Sequence, residues 1–239
     1  MKGEHDAAAV IQQRQDAGAR PGVSRVREFA PVINAYLVED VLIDAGRTWD
    51  RKRIFDAIEG RALSLVALTH AHGDHNGVAK DVCDARGIPL AVHADDVEVA
   101  ERGGPTAEEL AEASPMARFV WRRWGGPGHP VGRVLEDGDE VAGFRVVHAP
   151  GHSPGEVIYF RESDRVAICG DVIRNLSYAT LRSRLDEPPD GFNWDTAENR
   201  RSIRKLAELE PSVILPGHGG AVRDMDEFSR FVGRLPIEN

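Results

Sequence analysis

Leu63-Ser64-Leu65-Val66-Ala67-Leu68-Thr69-His70-Ala71-His72-Gly73-Asp74-His75 is the stretch that decides how this chain reads. Its first half is an apolar run suited to a buried strand. Its second half packs three imidazoles and one carboxylate into six residues. Packing alone does not account for such density, and zinc or iron takes these nitrogen and oxygen donors. His70 and His72 stand two apart, so an extended segment points both the same way. Asp74 and His75 follow a turn at Gly73 and face a second position. One ion does not easily take all four, so the run points to two adjacent metal sites at the mouth of a strand.

Outward from this run, three later segments repeat one plan: an apolar run, a tight turn, one donor. Ala149-Pro150-Gly151-His152-Ser153-Pro154-Gly155 presents His152, Cys169-Gly170-Asp171 presents Asp171, and Leu215-Pro216-Gly217-His218-Gly219 presents His218. Five of the nine histidines fall in such positions. Upstream, Val41-Leu42-Ile43-Asp44-Ala45-Gly46 ends a short apolar run on Asp44, which also fits a turn-forming Asp. His5, His93, His129 and His148 are not read as ligands, and Cys83 and Cys169 are read as apolar filler.

The intervening sequence supplies a scaffold. Short β-branched runs at 23–29, 35–39 and 41–44 read as a meander. Residues 47–59 carry a helical pattern that ends at Gly60, and 77–86 read as a helix beginning just after the histidine run. Residues 88–92 read as a strand, and 94–127 as helix broken around Gly103-Gly104-Pro105. Strand character returns at 133–135, 141–147, 157–160, 166–169 and 213–215. Residues 177–193 read as irregular, and helices are expected at 196–209 and 225–232. Strands in two halves, each punctuated by helices, predict an α+β fold: a four-layer αββα sandwich. Residues 1–20 read as an N-terminal arm, disordered or helical, and 21–239 as a single domain.

Composition bounds the partners. The chain has 239 residues, 41% hydrophobic and 29% charged, an ordinary balance for a globular protein with a sizeable core. A formal charge of −9 argues against a nucleic-acid partner, which needs clustered Lys and Arg. Two cysteines make no disulfide framework, and no stretch reaches the ~20 apolar residues of a membrane span. The expectation is a cytoplasmic protein with a small-molecule substrate and no membrane partner; the oligomeric state stays open, with a dimer possible.

The order His-x-His-x-Asp-His, Gly-His, Gly-Asp, Pro-Gly-His-Gly, behind an Asp that closes an early strand, resembles the metallo-β-lactamase-fold hydrolases, over roughly residues 24–220. The resemblance implies that His70, His72 and His152 hold one ion and that Asp74, His75 and His218 hold a second. Asp171 would bridge them, and Asp44 would orient the ligand loop. It implies two divalent ions, zinc, with iron or manganese as alternatives. Two ions about 3.5–4 Å apart can share a hydroxide that attacks a polarised carbonyl, and Asp74 can pass protons to the leaving group.

Departures from relatives within that family narrow the reaction. Asp171 stands where zinc β-lactamases lack a bridging carboxylate. Only about twenty residues follow His218, and Glu156 stands where thioesterases of the glyoxalase II type often carry a further His. What remains is a glyoxalase II-like or lactonase-like hydrolase of a small ester, thioester or lactone. The alternative is a mononuclear iron oxygenase similar to the persulfide dioxygenases, using equivalents of His70, His152 and Asp171; phosphodiesterase and β-lactamase reactions stand behind it. Trp121, Trp124, Arg174, Tyr178 and Trp194 are candidate substrate walls, and Arg182 or Arg184 a candidate carboxylate clamp.

Overall fold

The computed structural model describes residues 22–26, 33–104, 115, 118–119 and 124–236. The N-terminal arm and Trp121, with most of the helix expected at 106–124, lie outside the described residues.

Two sheets carry the fold. The first runs β1 (Val23–Val26), β2 (Ala35–Val38), β3 (Val41–Ile43), β4 (Leu65–Ala67), β5 (Leu90–His93) and β6 (Val131–Leu135), in that spatial order. Its first three strands form an antiparallel meander; β3 to β6 are parallel. The second has the order β13 (Val213–Pro216), β10 (Val166–Gly170), β9 (Val157–Arg161), β8 (Phe144–His148) and β7 (Glu140–Val141). There β13 and β10 are parallel and the rest antiparallel.

Both faces of each sheet are apolar, which is why the strand sequences read as runs rather than alternations. In β2, Tyr36 and Val38 enter the core between the sheets, while Ala35 and Leu37 enter an outer core. In β4, Leu65 and Ala67 face inward and Val66 outward, as does Leu68 just after the strand. The first outer core is capped by α1 (Arg51–Ala57), α3 (Ala79–Arg86) and α4 (Val97–Arg102), through Ile54, Val82, Cys83 and Ala100. The second is capped by α5 (Thr196–Glu208) and α6 (Met225–Val232), through Ile203, Leu206, Phe228 and Phe231. Helix, sheet, sheet, helix is the expected αββα order. Both cysteines lie in the outer cores, where burial pushes the Cys83 thiol up to about 12 and the Cys169 thiol well upward too.

Three local expectations need correction. The run 141–147 is a hairpin: β7 and β8 are joined at Ala142 and Gly143, both with left-handed backbone (φ 48° and 73°). Successive positive φ values make the tight turn that matches strand twist, and the apolar pattern on either side hides it. The helix expected from Gly77 begins earlier, as the single turn α2 (Gly73–Asn76), so Asp74 and His75 sit on a helical turn. Finally, 177–193 is not wholly irregular: it contains β12 (Leu185–Asp186), which pairs with β11 (Arg174–Asn175) as a short hairpin.

The sheets are tied together beside the donor loops. Tyr159, buried between the sheets, donates its phenol to the Leu68 carbonyl at 2.6 Å, and Tyr36 donates to the Pro216 carbonyl at 2.7 Å. A buried phenol needs such a partner, and each of these fixes the backbone two residues before a histidine. Val157 N–H donates to the Thr69 carbonyl at 2.9 Å, joining the second sheet to the histidine run. Gly125-Gly126 does more than break a helix. A Cβ on Gly73 would lie 2.6 Å from the Gly125 backbone, and one on Gly126 only 2.2 Å from the Gly77 carbonyl oxygen, so this segment lies backbone to backbone along α2.

Candidate metal centre

Asp44, His70, Asp171 and His218 follow the C-terminal ends of β3, β4, β10 and β13, and His152 follows β8. Strand directions put all five ends at one edge of the sandwich. Rigid strands thus hold donors that lie far apart in sequence.

The donors converge in overlapping triads whose ligand atoms lie within 4.8 Å of one another: His70, His72 and His152; His70, His75 and Asp171; Asp74, His75 and His218. His72 Nδ1 and His152 Nε2 are 2.9 Å apart. Asp171 Oδ2 stands between the two outer triads, 3.4 Å from His152 Nε2 and 2.9 Å from His218 Nε2. Its Oδ1 is 3.4 Å from His75 Nε2, and His218 Nε2 is 3.5 Å from Asp74 Oδ2. Two donors each about 2.0–2.2 Å from one zinc-sized ion lie roughly 3–3.5 Å apart, so these spacings are those of ligands around an ion. His70 Nε2, His75 Nε2 and Asp171 Oδ1 are buried without a hydrogen-bond partner. Orphans of this kind are costly in a fold, and all three face the same space. The residues present fit a metal pair.

Outward-facing atoms fix the rings. Asp44 accepts from Thr69 N–H at 2.8 Å, from the Thr69 hydroxyl at 2.9 Å and from His75 Nδ1 at 2.8 Å. A carboxylate only accepts, so His75 Nδ1 carries the proton and Nε2 faces inward. Two further residues orient rings in ways the sequence did not disclose. The Thr69 hydroxyl is the hydrogen-bond partner of His70 Nδ1 at 3.1 Å, with the fully buried Glu156 behind it: its Oε2 lies 3.2 Å from the same nitrogen and its Oε1 accepts the Asp171 backbone N–H at 3.1 Å. Asn193 accepts from His152 Nδ1 at 2.9 Å, with its amide held by Thr196. Carboxylates and amides behind metal-binding imidazoles fix their tautomer and raise their basicity. No short motif marks Glu156 or Asn193, because the contacts form only when the loops meet.

Gly217 belongs to this geometry. A Cβ there would lie 2.2 Å from Asp171 Oδ1 and 2.6 Å from His75 Cε1, so the Pro-Gly-His-Gly turn leaves the space that the donors face.

The electrostatics divide the donors into two sets. Burial, with the crowding of the other imidazoles, holds His70 and His72 well below the ordinary histidine value, and burial lowers His152 too. His75 and His218 differ: burial works against their charge, but Asp171 with Asp44 raises His75 and Asp171 with Asp74 raises His218. Asp171, despite burial, is held well below the usual carboxylate range by His218 and His75. Burial and the nearby Asp171 push Glu156 well upward.

The expected substrate walls divide. The Tyr178 ring meets His218 edge-on at 5.9 Å and is braced by the Arg174 guanidinium at 4.7 Å. Tyr178 is 44% exposed, and desolvation with the nearby charges of Asp171 and Asp74 raises its phenol well above the ordinary value, which keeps it protonated. Arg174, expected to face substrate, spends its donors inside the hairpin, on the Glu187 and Leu176 carbonyls and on Asp186. Trp124 lies by Arg47, which also approaches Trp49. The Trp194 side chain is 60% exposed, while its N–H holds the His152 carbonyl at 3.0 Å. Arg182 is exposed, and Arg184 approaches Asp186 at 3.5 Å. His93, Asp95 and His148 also converge, but the two rings stack at 3.9 Å and 14°. Imidazole lone pairs lie in the ring plane, so parallel stacked rings do not aim at one ion.

Asn193→Ala leaves His152 Nδ1 without its acceptor. We expect metal affinity to fall about 10- to 100-fold with little change in folding, read by chelator competition.

Residues 30–218 match the family model described as the metallo-beta-lactamase superfamily. The chain is 30% identical over 200 residues to a probable metallo-hydrolase, YflN, of Bacillus subtilis, covering 75% of each chain. It is 31% identical over 164 residues to a hydroxyacylglutathione hydrolase of Cupriavidus metallidurans, covering 65% of this chain and 49% of the relative. Among solved structures, TTHA1623 in a di-iron-bound form superposes with a TM-score of 0.58 at 28% identity, covering 86% of this chain and 92% of that one. The BLEG-1 B3 metallo-beta-lactamase superposes with a TM-score of 0.65 at 24% identity, covering 88% and 99%, a likeness of fold alone. Among the described residues, no helix is long and apolar enough to cross a membrane.

Proposed function

The chain belongs to the metallo-beta-lactamase superfamily, and we propose that it is a binuclear metal-dependent hydrolase of small esters, thioesters or lactones. One observation carries this reading. Seven donors face one space at the spacings of ligands, while the outer atoms of His70, His75 and His152 are held by Thr69, Asp44 and Asn193. His70, His72 and His152 would hold one ion; Asp74, His75 and His218 the other; Asp171 reaches both sets. When bound, two divalent ions make water a nucleophile near neutral pH and polarise an acyl oxygen.

The remaining work falls to the chain. Asp74 is the least confined carboxylate of the group, its side chain 13% exposed, and is placed to take a proton from attacking water and return it to the leaving group. Tyr178, protonated and braced by Arg174, presents a hydroxyl at the rim beside His218 as a donor to the developing oxyanion. Exposed Leu181 and Trp194 give the 174–194 segment an apolar surface for an acyl group. The di-iron form of TTHA1623 supports a two-metal centre, and the likeness to a hydroxyacylglutathione hydrolase supports the thioester member of the substrate set.

The test is elemental analysis of the purified protein alongside a panel of aryl esters, thioesters and lactones, with oxygen uptake on a persulfide in parallel. Two metal equivalents with turnover of one acyl class is the expected result. One iron with oxygen uptake replaces the hydrolase with a mononuclear oxygenase.

A further inference from the structure

Asp96 lies outside every donor segment, yet it is buried, 1% exposed, between two of them. It follows β5, in the short 3-10 turn Ala94–Asp96. Its Oδ2 accepts from Ala71 N–H at 2.8 Å and from the Ser153 hydroxyl at 2.9 Å; its Oδ1 accepts from Gly155 N–H at 2.7 Å. Ala71 is the residue between His70 and His72, and Ser153 follows His152. The loop closes tightly on the carboxylate: a Cβ on Gly155 would lie 2.7 Å from Asp96 Cβ, Cγ and Oδ1. All three of these partners lie on the segments that carry His70, His72 and His152.

We propose that Asp96 is a positioning residue that clamps the His70-Ala71-His72 and His152-Ser153 segments together and so sets the affinity of one metal position, the three-histidine one, and not of the other. The proposal rests on the two-metal reading above. Charge-assisted hydrogen bonds from two backbone N–H groups to one carboxylate are short, directional and roughly twice as strong as neutral ones. They fix the loop backbones from which the three imidazoles extend. Without them the bond from Val157 N–H to the Thr69 carbonyl remains, and the ion must supply more of the ordering between the loops. A small misplacement of ligand-bearing backbone lowers metal affinity on the scale of lost outer partners, about 10- to 100-fold.

The experiment is chelator competition with zinc on the full chain. His72→Ala, which removes a donor from the three-histidine set only, identifies which binding step belongs to that set. Asp96→Asn keeps shape and volume but offers one acceptor where two N–H groups point, so one of them faces an amide NH2. Its expected effect is a 10- to 100-fold weakening of the step that His72→Ala abolishes, with the other step unchanged. Ser153→Ala, which deletes only the Ser153 hydroxyl bond and cannot greatly disturb folding, is expected to weaken the same step by a smaller factor. Thermal melting of the metal-free variants checks that both fold. Unchanged affinity at the three-histidine step in both variants overturns the clamp, as does equal weakening of both steps. If the wild-type protein itself shows no two-step binding, the two-metal reading fails; the clamp then still stands or falls on whether Asp96→Asn weakens whatever binding His72→Ala removes.

Discussion

Asp171→Ala is expected to abolish turnover and lower metal content while the fold stands. Asp171 is the one donor whose oxygens approach both sets: His152 on one side, His75 and His218 on the other. Removing it takes a ligand from each position and the negative charge from between them. Loss of a preorganised charge-stabilising group costs about 10²–10³-fold; loss of a shared ligand adds depleted metal to that, so activity should fall at least about a thousandfold. Breaking a buried ion pair often costs several kcal/mol because a charge is stranded. Here His75 and His218 can instead release their protons and become neutral, which limits the damage. The Asp171 backbone N–H keeps its bond to Glu156 in the variant. Elemental analysis and turnover measure the first effect, and a denaturant melt the second. A fully active Asp171→Ala protein removes the bridging role.

The donors were legible because each follows one local pattern, an apolar strand and a tight turn, and that pattern is written in consecutive residues. His152, Asp171 and His218 each end such a unit, so their convergence required only that strand ends share an edge. The residues that orient them were not legible for the opposite reason. Glu156 reads only as a departure from the glyoxalase II type, Asn193 as the end of an irregular segment, and Asp96 carries no motif. Each acquires its role from a segment 25 to 86 positions away, through contacts that form only in the folded chain. The β7–β8 turn was hidden likewise: Ala142 and Gly143 interrupt an apolar run without a polar signal. Arg174, a cation on a loop that sequence assigns to substrate, spends donors within its own hairpin and reaches the site through the Tyr178 ring it braces.

The split between the two sets of histidines predicts an unusual pH profile for the metal-free protein: stability greatest near pH 6.5 and falling on either side. The sign follows from where protons bind. Below the ordinary histidine value of 6.5, the unfolded chain protonates all its imidazoles, whereas burial keeps His70, His72 and His152 neutral in the fold. The unfolded state then holds more protons, so stability is lost as pH falls. Glu156 opposes this by one proton, because its raised value keeps it protonated in the fold. His93, lowered by burial as well, acts with the three imidazoles, so they outweigh Glu156 and the net effect is stability lost as pH falls. Above 6.5 the roles exchange. His75 and His218, raised by Asp171 and its neighbours, remain protonated in the fold after the unfolded chain has released its protons, so their contribution is lost as pH rises through their folded values. Loading with metal should remove this alkaline decline, because binding requires neutral imidazoles and releases those protons. Urea melts of chelator-stripped and zinc-loaded protein from pH 5 to 9 test both halves. A metal-free profile that climbs steadily through pH 8 would mean that His75 and His218 are neutral in the fold, and that Asp171 is not held between two imidazolium ions before metal arrives.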